Sequence, residues 1–247
     1  MQRYKVKIAY DGTDYCGFQR QSTDPTIQAA LEEALHYLDQ QPVQVVGASR
    51  TDAKVHAMGQ VAHFDLKTPR PAKAIQNALN ARLPREIRVL EIDEVEADFH
   101  ARFHAKQKVY TYTLSRSSLQ SPFLRHHTLH FPHPLDLSLM DQAIEILQGT
   151  HDFIQFSNTT SKENRPPSTV RTLFDIRYEV QQELMTFFFT GDGFLYNMVR
   201  NLMGALIEVG SKKMSLATLA KLLKEEVQPR TFTTMPPYPL TLKEISY

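Results

Sequence analysis

Residues 3–10, Arg3-Tyr4-Lys5-Val6-Lys7-Ile8-Ala9-Tyr10, set the reading of the whole chain. Tyr4, Val6, Ile8 and Tyr10 occupy every second position, so an extended backbone puts them on one face. The stretch predicts a strand with one buried face, ended by the turn-forming Asp11-Gly12-Thr13-Asp14. Asp24-Pro25 then signals a helix start, because aspartate can cap free backbone N–H groups and proline suits the first turn. Ile27, Leu31, Ala34, Leu35 and Leu38 follow at helical spacing. Strands are expected at 43–48 and 60–66, a helix over Pro71 to Arg82, and a strand at 87–93. The order of this half is βαββαβ.

The second half reads the same way. An alternating strand covers 107–116, and a helix covers 138–148 after Asp136 and Ser138. Strands at 170–181 and 184–190 form a hairpin around Gln181-Gln182-Glu183. Helices at 194–209 and 215–226, the latter capped by Ser215, precede a strand at 240–246. The pattern predicts an α+β protein of two ferredoxin-like, split βαβ halves, with antiparallel sheets joined across a central cleft. No residue-level repeat accompanies it. The boundary is expected near residue 105: an N-terminal α+β domain, 1–105, and a C-terminal one, 106–247. Ser157–Ser168, with Lys162, Arg165 and two prolines, reads as a long loop, a feature that is usually functional or disordered.

Composition narrows the class. With 247 residues, 42% hydrophobic and 22% charged, the chain has material for a real core. A net charge of +1 argues against indiscriminate coating of nucleic acid but leaves room for a basic face. The single cysteine, Cys16, excludes an intramolecular disulfide framework and fits a reducing compartment. No apolar run approaches the ~18 residues of a membrane span, and the N-terminus lacks the apolar core of a signal peptide. A cytoplasmic protein without a membrane partner is expected.

The chemistry is sought in the break between the second and third strands, where Arg50-Thr51-Asp52 is followed by Ala53-Lys54-Val55-His56-Ala57. Connections between strands are where a scaffold presents reactive groups. By itself the triplet reads first as an ordinary turn with a solvated arginine. Three other segments weigh against that: Tyr10–Gln21 as an unusual string after the first strand, Tyr110 and Tyr112 interleaved with Lys106 and Lys108, and Arg200. Arg200 sits among Met198, Val199, Leu202 and Met203, and a cation on an apolar helix needs a partner or a function. Ten histidines raise the question of a metal. His100 and His104 are four apart and His126, His127, His130 and His133 cluster, yet no HExxH pattern or cysteine pair supports zinc. Phosphate-binding glycine motifs are absent as well, so neither metal nor nucleotide cofactor is expected.

Taken together, these segments resemble the TruA-type family of tRNA pseudouridine synthases over essentially the whole chain. The resemblance rests on Tyr10–Gln21, on Arg50-Thr51-Asp52-Ala53 continuing through Val55-His56 to Gly59–Asp65, and on Phe99-His100-Ala101-Arg102-Phe103. Tyr110-Thr111-Tyr112, Gly149–Phe153, Val170-Arg171-Thr172, Phe194-Leu195 and Met198-Val199-Arg200-Asn201 extend it. It implies an isomerase that turns uridine into pseudouridine in the tRNA anticodon stem-loop (family positions 38, 39 and 40), working as a homodimer without metal or cofactor. Asp52 would be the essential aspartate and nucleophile. Arg50 would engage RNA near the flipped nucleotide, Arg200 would pair with the carboxylate, Tyr110 would stack on the base, and Leu240 would line the pocket.

The residue types suit the reaction. The C1′–N1 bond breaks and the uracil is turned and rejoined through C5, so the detached base must not escape. A carboxylate can serve at the sugar carbon or on the base, and three routes stay open: nucleophile, ion-pair partner, or addition to the ring. A nearby arginine keeps it ionised. A stacked tyrosine holds a flat base in several rotational states, contributing about 1–3 kcal/mol. The phosphate-contact candidates are Arg20, Lys54, Arg82, Arg85, Arg102, Lys106, Lys108, Lys162, Arg165 and Arg171. Two departures stand out: Ser49 and Lys54 occupy positions where the family usually has glycine. A lysine forced to positive φ would cost on the order of 1 kcal/mol, so the loop either follows another path or never required that conformation at this position. Two other functions remain open, an RNA-binding protein of the same fold with lost activity and a synthase for another RNA position.

Overall fold

The computed structural model describes residues 1–158, 167–224 and 231–247. By contact the chain divides into two units, Met1–Lys108 with Thr241–Tyr247, and Val109–Leu240.

In the first unit, β1 (Gln2–Tyr10) buries Tyr4, Val6, Ile8 and Tyr10 as their alternation predicts. α1 (Ile27–Asp39) buries Ile27, Leu31, Ala34 and Leu35. Its cap is Thr26, whose hydroxyl accepts from the Ala29 N–H, and not the expected Asp24. The reason lies in Pro25, whose carbonyl is taken by the Cys16 N–H at 2.8 Å, so residues 24–25 stay outside the helix. β2 is confined to Val46–Gly47 instead of 43–48, and β3 (His56–Leu66) starts four residues before the expected 60. α2 (Ala72–Arg82) begins after Pro71, and β4 (Ile87–Val95) follows. The strand order is β4-β1-β3, with β2 also on β3, and the pairings β1–β3, β1–β4 and β2–β3 are antiparallel.

The last strand, β10 (Leu240–Ser246), has the predicted range but not the expected home. Thr241 and Leu242 pair in parallel with His56 and Ala57 of β3. Short β2 covers only Ala62 and His63, so the first residues of β3 have backbone groups that β10 satisfies. The chain therefore returns to its first unit, where a boundary at 105 had placed everything later in the second.

In the second unit, β5 (Gln107–Ser115), α3 (Leu137–Leu147), β8 (Val170–Gln181) and β9 (Leu184–Gly191) follow the predicted ranges within a residue. Asp136 caps α3 by accepting from the Leu139 N–H. Two short strands had no periodicity to announce them, β6 (Leu129–His130) and β7 (Gly149–Asp152). The order is β5-β9-β8-β7, with β6 on β5. α4 (Met198–Gly210) starts four residues later than expected, because Asn197 takes left-handed φ and breaks the helical path before it. α5 (Leu216–Leu222) is capped by Ser215; residues 225 and 226 of the expected helix lie outside the described residues, as do Lys162 and Arg165. Every residue of α4 except Arg200 and Glu208 is buried, and α3 packs against both α4 and α5. No helix among the described residues is long and apolar enough to cross a membrane.

One buried histidine makes the first unit sensitive to acid. Burial, aided by Arg3 and His100, pushes His63 down to about 4, and its Nδ1 accepts the Ala101 N–H at 3.1 Å. Its folded pKa lies below the unfolded value, so between about pH 6.5 and 4 the unfolded chain binds more protons. Stability is complete above that window and falls as pH drops through it. Denaturant midpoints at pH 7.5 and 5 should therefore differ, and His63→Gln should shrink the difference; an unchanged difference would remove His63 as the source.

Candidate active site

Residues 49–55 form the break between β2 and β3, and the Tyr10–Gln21 string is folded against it. Phe18 N–H donates to the Thr51 carbonyl at 3.0 Å, and Lys54 N–H to the Tyr15 carbonyl at 3.1 Å. Val55 N–H closes the turn on the Asp52 carbonyl at 3.2 Å. Gly17 (φ +97°) comes so close that a Cβ there would lie 2.6 Å from the Thr51 carbonyl oxygen. At Gly12 a Cβ would run into the Val55 carbonyl. Phe18 is buried, and its ring leaves no space for a side chain at Gly47. The string is thus the bed of the Asp52 loop, a role not visible from its residues one by one.

From the strand side, Gln60 bonds both the N–H and the carbonyl of Ser49, and the Tyr10 hydroxyl lies 2.7 Å from Thr51 Oγ1. Lys108 donates to the Ala48 carbonyl at 2.7 Å, so this phosphate-contact candidate also props the approach to Arg50. Asp52 is half-buried, while Arg50, Ala53 and Lys54 are exposed. His56, at the start of β3, is buried with Nδ1 3.0 Å from the Gly12 N–H and 3.1 Å from Asp11 Oδ1.

The two expected glycine positions part company. Ser49 is not among the left-handed residues and carries no backbone strain. Lys54 has φ +65°, so the loop keeps the turn that glycine would favour and holds a lysine in it. Lys54→Gly should therefore stabilise the protein by about 1 kcal/mol, raising the melting temperature by roughly 2–4 °C. If the exposed ammonium also meets a phosphate, the same variant will lower the salt slope of tRNA binding by about one unit. A melting temperature at or below wild type would show that the strain is not there to be relieved.

In the second unit, Arg200 rises from the first turn of α4. Its Nε donates to the Met235 carbonyl at 2.6 Å and its Nη1 to Asn197 Oδ1 at 2.8 Å, which fixes the plane of the guanidinium. The following residue, Asn201, is fully buried and bonded to the Phe156 carbonyl, Asn158 Oδ1 and the Thr234 hydroxyl. The 233–235 segment runs so close to α4 that Gly204 has no room for a Cβ beside the Thr233 carbonyl. Tyr110 is buried on β5, with the Phe194 ring edge-on at 5.1 Å. Its neighbour Tyr112 donates to the Pro236 carbonyl at 3.0 Å, and burial raises its phenol well above the ordinary value. Leu240 is buried at the start of β10.

Of the remaining phosphate-contact candidates, Arg20 is paired with Glu32 at 2.6 Å and Arg171 bonds the Ser168 and Val170 carbonyls. The guanidinium of Arg82 lies over the Tyr37 ring and that of Arg102 over Phe103. Arg85 and Lys106 are exposed.

The family described as tRNA pseudouridine synthase matches residues 7–104 and 143–247. A tRNA pseudouridine synthase A of Streptococcus gordonii is 39% identical over 251 residues, spanning 100% of this chain and 99% of its own. The Exiguobacterium sp. protein of that name is 41% identical over 248 residues (100% and 98%), and the Acetivibrio thermocellus protein 40% over 247 (100% of both).

Proposed function

Because this chain belongs to the tRNA pseudouridine synthase family, we propose that Asp52 is the carboxylate that isomerises uridines in the anticodon stem-loop of tRNA. The enzyme is an isomerase that converts uridine to pseudouridine. In the proposal the C1′–N1 bond breaks, the uracil turns, C1′–C5 forms, the hydrogen on C5 leaves to solvent and N1 regains a proton. Nothing is oxidised and no group enters, so the chemistry asks for no metal or cofactor.

The observation that supports Asp52 is its loop. Gly17, Phe18, Tyr10 and Gln60 brace the backbone on both sides of a half-exposed carboxylate, the arrangement a nucleophile or ion-pair partner needs to keep one direction. Arg50, exposed beside it, meets the RNA near the flipped nucleotide. Tyr110 stacks on the target base, Leu240 lines its pocket, and Arg200, its guanidinium plane already set, partners the carboxylate. A base leaving its stack costs a few kcal/mol, which such contacts offset. Lys54, Arg102, Lys106, Arg171, Arg20 and Lys108 supply phosphate grip. Each unit is read as a ferredoxin-like half, the first bearing the aspartate loop and the second the tyrosine and the paired arginine. The enzyme works as a cytoplasmic homodimer.

Tritium release from tRNA labelled at uridine C5, followed by mapping of the pseudouridines formed, tests this. Release with products confined to the anticodon stem-loop is the expected result. Products elsewhere would keep the reaction and overturn the substrate site. No release alongside intact tRNA binding would leave an RNA-binding protein of the same fold.

A further inference from the structure

Two of the side chains that brace the loop are polar and out of solvent: Gln60 is 0% and Tyr10 4% exposed. The Gln60 amide can face only one way. Its Oε1 accepts the Ser49 N–H at 3.2 Å and its Nε2 donates to the Ser49 carbonyl at 2.8 Å, so turning it over would set donor against donor. Nε2 also reaches the Tyr10 hydroxyl at 3.3 Å as a donor. Accepting from Gln60, the tyrosine has its single proton left to give to Thr51 Oγ1 at 2.7 Å, which completes a chain of Gln60, Tyr10 and Thr51. Burial pushes the Tyr10 phenol up to about 12, which keeps that donor protonated throughout the neutral range.

Backbone bonding from β2 to β3 ends with the Ala48 N–H on the Val61 carbonyl at 2.8 Å, so residues 49–52 lie beyond the paired stretch. We propose that Tyr10 and Gln60 are positioning residues for the isomerisation: by gripping Ser49 and Thr51, the neighbours of Arg50 on either side, they set the directions in which Arg50 and Asp52 leave the loop. The proposal rests on Asp52 being the reacting carboxylate. Displacing a reacting group by about 1 Å can cost on the order of 100-fold in rate without changing what the protein binds.

Tyr10→Phe keeps the ring and removes only the hydroxyl, and Thr51→Val removes the receiving oxygen at constant shape. Each is expected to lower kcat by roughly 10- to 100-fold while KM for tRNA stays within about threefold. Because both delete the same bond, the double variant should be no slower than the slower single by more than about twofold. A purely structural role would instead lower the folded fraction and leave the kcat of the folded protein unchanged, so rates are compared at a temperature where circular dichroism shows each variant folded. Should Tyr10→Phe not fold, Thr51→Val answers alone. Wild-type kcat in these variants, beside an inactive Asp52→Asn in the same assay, overturns the positioning role and leaves Asp52 standing. Full activity of Asp52→Asn overturns both.

Discussion

Asp52→Asn should abolish tritium release from labelled tRNA, by on the order of 10⁴-fold or more, while tRNA affinity at fixed salt changes no more than a few fold. Asparagine matches the shape of aspartate, and the backbone bond that closes the turn, Val55 N–H to the carbonyl of residue 52, does not involve the charge. In the proposed chemistry, what is lost is the negative oxygen that attacks the sugar, adds to the base or stabilises the separated sugar. In the proposed reading binding is dominated by phosphate contacts from residues away from the carboxylate, so it survives. Single-turnover release and a binding titration on the same preparation separate the two effects. A variant retaining more than a hundredth of the wild-type rate would remove the carboxylate from the chemistry.

Gly17→Ala should damage both stability and activity, from a position carrying no chemistry. The added methyl group would lie 2.6 Å from the Thr51 carbonyl oxygen and 3.2 Å from the Asp52 carbonyl carbon, and φ is +97°. Neither neighbour is a flexible side-chain tip; both are backbone of the loop, so relief requires the loop to move. Left-handed strain and overpacking together amount to about 2–4 kcal/mol, or roughly 4–16 °C in melting temperature for a chain of this size. The loop displacement adds about a 100-fold loss of kcat in the fraction that still folds. Calorimetry with kinetics below the transition checks both. An alanine variant with wild-type melting temperature and rate would mean that the string and the loop are not packed as described. The contrast with Lys54→Gly is informative, because the two changes act on one loop with opposite signs.

Much of the local structure could be read in advance. The alternation of Tyr4, Val6, Ile8 and Tyr10 located β1, Asp136 and Ser215 marked the starts of α3 and α5, and the β8–β9 hairpin was placed within a residue. The Arg50-Thr51-Asp52 triplet falls, as expected, in the break between β2 and β3. Its supports were not legible. Tyr10 and Gln60 were each quoted as part of a recognisable stretch, but nothing within either stretch says that a hydroxyl must meet Thr51 or an amide must meet Ser49. The one signal available was Gln60 itself, the single polar side chain in the run Ala57–Ala62, which demands a partner somewhere.

The sequence by itself determined which faces of each strand and helix are apolar, where most helices start, and which reaction class the motif residues belong to. The first two are set by neighbours a few positions apart, the third by a resemblance that runs the length of the chain. Only the tertiary structure decided that Thr26 caps α1, that β10 returns to β3, and that a lysine holds the left-handed turn after Asp52. Such outcomes turn on which backbone groups are left unpaired once distant segments have met, and a polar group leaving water accepts whichever partner the assembled fold puts within reach.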